Sequence, residues 1–295
     1  MTTPQLAFVF PGQGSQSIGM LSELAARHAL VRDAFAEASE GAGVDLWTLS
    51  QDGPDTQLNS TEFTQPALLA GHSLGEYAAL VAAGAVSLHD GAKLVRLRGQ
   101  FMQNAAPAGT GAMAAVLGAE DALVLEVCTL ASGDDAIVVP ANFNSPGQIV
   151  IGGHAAAVDR ALQLLAERGV RKAVKLAVSV PSHTPLMREA ANRLSEAMNA
   201  MAWSAPDRPV VQNVDGEVHD TVQSVRDALV RQLYLPVQWT GCVQALAARG
   251  ATRIAECGPG KVLAGLVKRI DKTIDARAIG TPAEMDAALT EWSHA

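Results

Sequence analysis

Residues 71–75 read Gly-His-Ser-Leu-Gly and open onto an apolar run, YAALVAAGAV. A serine held between two glycines at the head of a helix is the pattern of a tight, strained turn that pushes the hydroxyl outward. The N–H of the next residue, Leu74, is then available to an oxyanion. A serine hydroxyl becomes a nucleophile only beside a base. Of the seven histidines, His28 and His154 fall in or beside polar helical patterns, and His219 and His294 lie in polar surroundings. His89 sits near a helix start, and His72 is turned away from Ser73 by the elbow itself. His183 differs, because SVPSHTP follows an apolar strand and is bracketed by Pro181 and Pro185. A loop at a strand end, C-terminal to the nucleophile, is where such a base belongs. No Asp or Glu declares itself as an orienting third member. The bland alternatives are a helix cap for Ser73 and a buried structural imidazole for His183.

Two glycine-rich turns invite a phosphate reading and fail it. FPGQGSQ follows a strand, but a G-x-G-x-x-G fingerprint needs glycine at position 17, where Ser17 stands. GPGK (258–261) is followed by Val262 rather than the hydroxyl residue of a phosphate-binding loop. The first turn is better used to place a backbone N–H opposite Leu74, completing an oxyanion hole. Arg96 and Arg98 interrupt the apolar stretch KLVRLRGQFM. One guanidinium pointing into the serine cleft can clamp a carboxylate through two hydrogen bonds.

These groups need elements to hold them. LAFVF (6–10) reads as a buried strand stopped by Pro11 and Gly12. A helix opens near GQGSQSIG, with Met20, Leu21, Leu24 and Ala25 at helical spacing, and a mainly helical stretch continues to about residue 69. YAALVAAGAV is a helix ending at Gly84, and 90–105 is another. From residue 111 to about 180 the order becomes strand, helix, two strands joined by a polar turn, helix, strand. That β-α-β-β-α-β order has the size of an inserted small domain of ferredoxin-like type. Beyond it, PVVQNV (209–214) and RIAECG (253–258) read as strands, with helices near 221–234, 240–249 and KVLAGLVKRI. The expected fold is α/β: an α/β-hydrolase-like core with a parallel sheet (1–110 and 181–295) carrying a ferredoxin-like insert (111–180).

Composition narrows the setting. Of 295 residues 48% are hydrophobic and 4% aromatic, with 26 glycines, which suits helices packed closely on a parallel sheet. The net charge of −8 disfavours nucleic acid as a partner. Cys128, Cys242 and Cys257 cannot pair completely and form no C-x-x-C, so buried thiols in a reducing compartment are expected. No basic n-region precedes the first apolar run, and no apolar stretch is long enough to cross a bilayer. The expectation is a cytoplasmic monomer.

FVFPGQGSQ, GHSLGEY, LRGQFMQ, GTGAMAAVLG, NFNSPGQIVIGG, VSVPSH and ECGPGKVLAGL, taken in order, resemble the malonyl-CoA:acyl carrier protein transacylase family across nearly the whole chain. The resemblance implies that Ser73 accepts the acyl group and that His183 is its general base. It implies that backbone N–H groups of Gln13 and Leu74 bind the oxyanion, and that Arg98 pairs with the malonyl carboxylate. Gln232 in VRQLY would orient the histidine where a triad carboxylate is missing. Asn142 and Asn144 would line the cleft and support substrate binding. The implied partners are malonyl-CoA and an acyl carrier protein, with coenzyme A thioester as substrate and no cofactor. An acidic carrier would need a basic patch, either Arg168, Arg171, Lys172 and Lys175 or Lys268, Arg269 and Lys272.

The pattern departs at one place. A crossover between parallel strands takes roughly a dozen residues, and relatives carry about twenty more between TQPALL and AGHSLG. Here only ALLAGH separates Pro66 from Ser73. One strand fits there, but not the helix before it. Spacing on either side is kept, so a further segment is expected rather than a true loss, which would remove a buried layer. A serine hydrolase with water as acceptor, an inert acyl-CoA-binding or scaffold subunit, a malonate-decarboxylase subunit and a polyketide acyltransferase remain as alternatives.

Overall fold

The computed structural model describes residues 5–61, 72–107, 109–178 and 180–293. Its strands are β1 (Gln5–Val9), β2 (Gly111–Leu117), β3 (Val138–Ser145), β4 (Gln148–His154), β5 (Lys172–Lys175), β6 (Ala251–Glu256) and β7 (Asp275–Ala278). They make two separate sheets. One is parallel, in the order β1-β6-β7, and the other antiparallel, in the order β3-β4-β2-β5. The protein is therefore α/β, with a parallel sheet and a distinct antiparallel one.

The parallel sheet is built where the apolar run LAFV meets RIAE, pairing Leu6 with Arg253 through Val9 with Glu256. Pro11 has no N–H to continue the ladder, so the chain turns there. Val9, Ile254 and Ala276 bury into a cluster with Leu263, Val267 and Trp239. Glu256 at the end of β6 is itself buried, and its carboxylate accepts the N–H groups of Leu263 and Ala264 in the first turn of the Val262–Ile270 helix. That satisfies donors a helix start cannot pair internally.

A second core lies among helices. Leu94, Val95 and Met102 of the Leu88–Ala105 helix pack with Leu194 and Met198 of Arg188–Asn199 and with Leu229 and Leu233 of Val222–Tyr234. Ser87 starts the first of these helices by accepting the Asp90 N–H, and Thr221 and Ser224 cap the last reciprocally. The antiparallel sheet has its own core, because alternate residues Ala114, Val116, Ile149 and Ile151 face the helices Asp121–Ala131 and Ala155–Glu167.

Three sequence expectations need correction. RKAVKLAVSV forms a strand only over Lys172–Lys175. After the Leu176 N–H reaches Met113, the chain leaves the sheet, and Pro181 comes to lie against Gly111. Among the described residues PVVQNV forms no ladder: Val211 makes one isolated bridge to Val218. The first helix begins at Ser22, two residues after Met20, because Leu21 takes a left-handed conformation. The helical reading toward residue 69 and the strand feeding the elbow fall on 62–71, outside the described residues. Among the described residues no helix is long and apolar enough to cross a membrane.

Gly41 shows how closely the helices of the larger part approach. A Cβ there would lie 2.0 Å from the His89 carbonyl oxygen. Gly41→Ala is expected to destabilise by about 1–3 kcal/mol, measured by thermal unfolding. Gly133→Ala, where a Cβ meets nothing within 4 Å, serves as the neutral comparison. Equal midpoints for the two variants would contradict the packing.

Candidate active site

The C-terminal ends of β1 and β6 converge on the serine turn, the usual place for a ligand site in an open α/β sheet. The His72 N–H donates to the Phe10 carbonyl at 2.7 Å, and the Cys257 N–H to the Val9 carbonyl at 2.8 Å. Gly12 is needed here, since a Cβ would sit 2.4 Å from the His72 carbonyl oxygen. The turn bearing Gln13 thus lies directly against the elbow. Leu74 is buried and precedes the Gly75–Ala82 helix, at an end where N–H groups lack intrahelical acceptors.

Ser73 has φ 65°, a left-handed conformation that a serine reaches at a cost. Its backbone is gripped on both sides. The Ser73 N–H donates to Asn213 Oδ1 at 2.6 Å, and its carbonyl accepts from Gln232 Nε2 at 2.5 Å.

His183 lies 2.6 Å from Ser73, Nε2 to Oγ. The imidazole, too, is on a left-handed residue, φ 61°. It is fixed by the C-terminal end of the Val222–Tyr234 helix, whose last carbonyls have no partners within the helix. The Gln232 carbonyl accepts from His183 Nδ1 at 2.6 Å, and the Leu233 carbonyl accepts the His183 N–H at 3.0 Å. A carbonyl only accepts, so the ring proton is on Nδ1 and the Nε2 lone pair faces the serine hydroxyl. Burial and the nearby charge of Arg98 push the His183 pKa down to about 3, so the ring is neutral at working pH. The geometry allows proton removal from Ser73 and attack on an electrophilic carbonyl.

Gln232 thus acts in two ways. Its main-chain oxygen orients the histidine, while its side chain links three partners. The amide donates to the Ser73 carbonyl and, at 2.8 Å, to Glu76 Oε2, and its oxygen accepts from Arg98 Nη2 at 3.3 Å. Arg98 is buried, 2% exposed, on the Leu88–Ala105 helix. Arg96 turns the other way and donates to the Ala42 carbonyl at 2.5 Å. Arg98 is therefore the arginine brought to the serine.

Asn144 and Asn142 arrive on β3 from the antiparallel sheet, both buried. Asn144 Oδ1 is 2.8 Å from His72 Nε2, and the His72 ring meets Trp239 edge-on. Asn144 thus supports the elbow. The backbone of Asn142 bridges to Val237. Sequence reading missed Glu76 and Asn213. The signal available for Glu76 was a carboxylate three residues after the serine within an otherwise apolar helix, GEYAALVA. Among the described residues no three His, Cys, Asp or Glu groups come together as a metal site. Cys128 and Cys242 are buried, whereas Cys257 is half-buried, and all three are free thiols.

A half-buried serine against a buried histidine at an elbow, with a guanidinium beside them, on an α/β scaffold is the equipment of an acyl-transferring enzyme. The acyl transferase domain model matches residues 64–282. The chain is 50% identical to a malonyl CoA-acyl carrier protein transacylase from Salmonella typhimurium, with 97% of this chain and 99% of that one aligned. Identity to the protein of the same name from Escherichia coli K12 is 49%, with the same coverage. A solved malonyl-CoA:acyl carrier protein transacylase from Xanthomonas oryzae is 71% identical, with TM-score 0.96 and 99% of each chain covered. A malonyl-transacylase solved in complex with its type II polyketide acyl-carrier protein is 44% identical, with TM-score 0.94, covering 97% of this chain and 99% of that one. The chain belongs to the malonyl-CoA:acyl carrier protein transacylase family. The Salmonella alignment runs over 308 positions against 295 residues here, so that relative has positions without counterparts in this chain.

The depressed His183 pKa links to stability with a definite sign. The native imidazole stays neutral down to about 3, whereas the unfolded chain takes up a proton below about 6.5. Stability is therefore full above that value and lost as pH falls toward the folded pKa. Between pH 7 and pH 5 the wild type should lose about 2 kcal/mol more than His183→Gln, measured by urea unfolding. Parallel losses would show that His183 is not held neutral.

Proposed function

We propose that this enzyme transfers malonyl from malonyl-CoA to the phosphopantetheine thiol of an acyl carrier protein, through an ester on Ser73, in support of fatty-acid synthesis. The observation that carries the mechanism is the 2.6 Å contact between Ser73 Oγ and the bare Nε2 of His183. His183 takes the serine proton as Oγ attacks the thioester carbonyl. Backbone N–H groups of Leu74 and Gln13 receive the oxyanion, a contribution typically on the order of a hundred- to a thousandfold per donor. The tetrahedral intermediate expels coenzyme A as thiol, which carries the proton from His183. In the second half-reaction His183 deprotonates the carrier thiol, which attacks the ester and releases Ser73.

Arg98 reads the far end of the acyl group. A buried guanidinium is best served by a carboxylate, so acetyl groups should load poorly. Asn142 and Asn144 support the cleft wall from the antiparallel sheet. The nucleophile, base and oxyanion donors are all protein groups, so the reaction as read requires no cofactor. We read the protein as a monomer, and its three free thiols favour a cytoplasmic setting. The finer fold reading is an α/β-hydrolase-like core, 1–110 and 181–295, with a ferredoxin-like insert, 111–180. The strand order β3-β4-β2-β5 with two helices on one face supports it.

Carrier docking favours the Lys268, Arg269 and Lys272 cluster. In the other cluster Arg168 is paired with Glu126 and Lys175 with Asp159. Arg269 donates to Gln148 at the β3–β4 turn, which places this cluster where the two sheets' regions meet.

Exposure to malonyl-CoA alone should leave one malonyl group on Ser73 by peptide mass mapping, discharged when holo carrier protein is added. Steady hydrolysis without a trapped ester would favour a hydrolase, and a Ser73→Ala protein that still acquires the group would exclude this serine. Arg98→Ala should cut malonyl loading roughly ten- to a hundredfold while sparing or raising loading of uncharged acyl groups. Retained malonyl selectivity would remove the clamp.

A further inference from the structure

The acyl-transfer machinery accounts for Ser73, His183, Arg98 and Gln232 but leaves a buried carboxylate unexplained. Glu76 is 1% exposed, three residues after the serine, in the first turn of the Gly75–Ala82 helix. Its Oε2 accepts the Asn213 N–H at 3.0 Å and Gln232 Nε2 at 2.8 Å. Those two residues are the ones that grip Ser73: Asn213 Oδ1 takes its N–H and Gln232 Nε2 reaches its carbonyl. Gln232 also supplies the carbonyl that orients His183. One carboxyl oxygen therefore ties together both holders of the strained nucleophile.

Resting on the acyl-transfer reading, we propose that Glu76 is a positioning residue: it acts through Asn213 and Gln232 to hold Ser73 in its left-handed conformation and in line with His183. A buried acid that merely favoured its own helix start would need no such bridge. Removing it leaves the Asn213 N–H and one Gln232 N–H without this acceptor, inside a region that water does not satisfy. Ser73 would then relax toward ordinary backbone angles, and the 2.6 Å approach to His183 would be lost.

The surroundings make this device sensitive to pH. Burial pushes the Glu76 carboxyl up to about 7, helped by the charge of Asp215 and opposed by the Asn213 and Gln232 donors and by Arg98. The other titratable neighbours are Tyr77 on the same helix and Cys242 on the Trp239–Ala248 helix, both held in their neutral forms by burial. Above about 7 the ionised carboxylate accepts both donors strongly, and below it the neutral acid accepts them weakly. His183 stays neutral down to about 3 and contributes no inflection in this range.

The test is single-turnover acylation of Ser73 by malonyl-CoA, followed by rapid quench from pH 6 to 8.5, for wild type, Glu76→Gln and Glu76→Ala. Wild type should show a rise through about pH 7. Glu76→Ala, where folded, should acylate about ten- to a hundredfold more slowly, with the malonyl-CoA concentration for half-saturation changed less than about twofold. Glu76→Gln keeps an acceptor oxygen without a titrating proton. It should recover to within about threefold of the wild-type plateau and lose the inflection. Should Glu76→Ala fail to fold, Glu76→Gln decides alone. An inflection that persists in Glu76→Gln, a Gln variant far below that plateau, or a folded Ala variant at wild-type rate overturns the proposal. Failure of the wild type to acylate at all would instead strike the acyl-transfer reading.

Discussion

The site depends on one backbone constraint: Ser73 must sit in a left-handed conformation that its Cβ resists. For a residue other than glycine this costs roughly 1–2 kcal/mol. It persists because hydrogen bonds seize the peptide group on each side, from Asn213 and from Gln232. Each bond contributes about 0.5–1.5 kcal/mol net, so together they offset the strain without a large surplus. His183 is in the same backbone region, and main-chain and ring contacts to one helix end hold it. Two strained residues facing each other at hydrogen-bond distance require both anchors. Neither the turn nor the loop would hold that geometry alone.

Charge placement follows from the same constraint. A triad carboxylate normally orients the imidazole and stabilises it when it takes a proton. In its place the helix Val222–Tyr234 presents its C-terminal carbonyls, which carry partial negative charge and supply fixed acceptors. That choice leaves the histidine less stabilised as a cation than a full negative charge would. Arg98 adds to the effect, since its charge disfavours a second cation nearby. The ground-state imidazole is thus firmly neutral, with its Nε2 facing the serine hydroxyl. Thioester substrates suit such a site, because a thiol leaves more readily than an amine and demands less help from a protonated base.

Much of this was legible in the sequence, and the reasons differ by residue. Ser73 and His183 stood out because glycines and prolines mark turns, and turns are where backbone rules force side chains outward. The β-α-β-β-α-β element order between 111 and 175 was legible because each element shows its own period. Gln232 was assigned only through family resemblance. Its backbone oxygen, which touches the histidine, leaves no sequence signal, since every residue has a carbonyl. Glu76 and Asn213 escaped notice for a related reason. An acid near a helix start and an asparagine beside a turn are ordinary residues in ordinary places. Only the fold brings Asn213 to Ser73 across 140 positions. PVVQNV reads as a strand because an apolar β-branched run predicts extension, while ladder formation requires a neighbour that periodicity cannot report, and among the described residues it finds only one bridge.

The antiparallel sheet is tied to the site through the segment that follows the Val222–Tyr234 helix. Residue 237 joins edge strand β3 through two backbone bonds: the Phe143 N–H donates to the Val237 carbonyl, and the Val237 N–H to the Ala141 carbonyl, each at 2.9 Å. Five residues before Val237 stands Gln232, whose carbonyl fixes His183. Two residues after it stands Trp239, against which His72 packs. From the antiparallel sheet Asn144 closes the loop by holding His72, the residue preceding Ser73. The attachment of the antiparallel sheet therefore passes through the supports of both the serine and the histidine. Rotation of the antiparallel sheet would have to break the Val237 pairing or the Asn144 contact, and either would disturb the 2.6 Å Ser73–His183 distance.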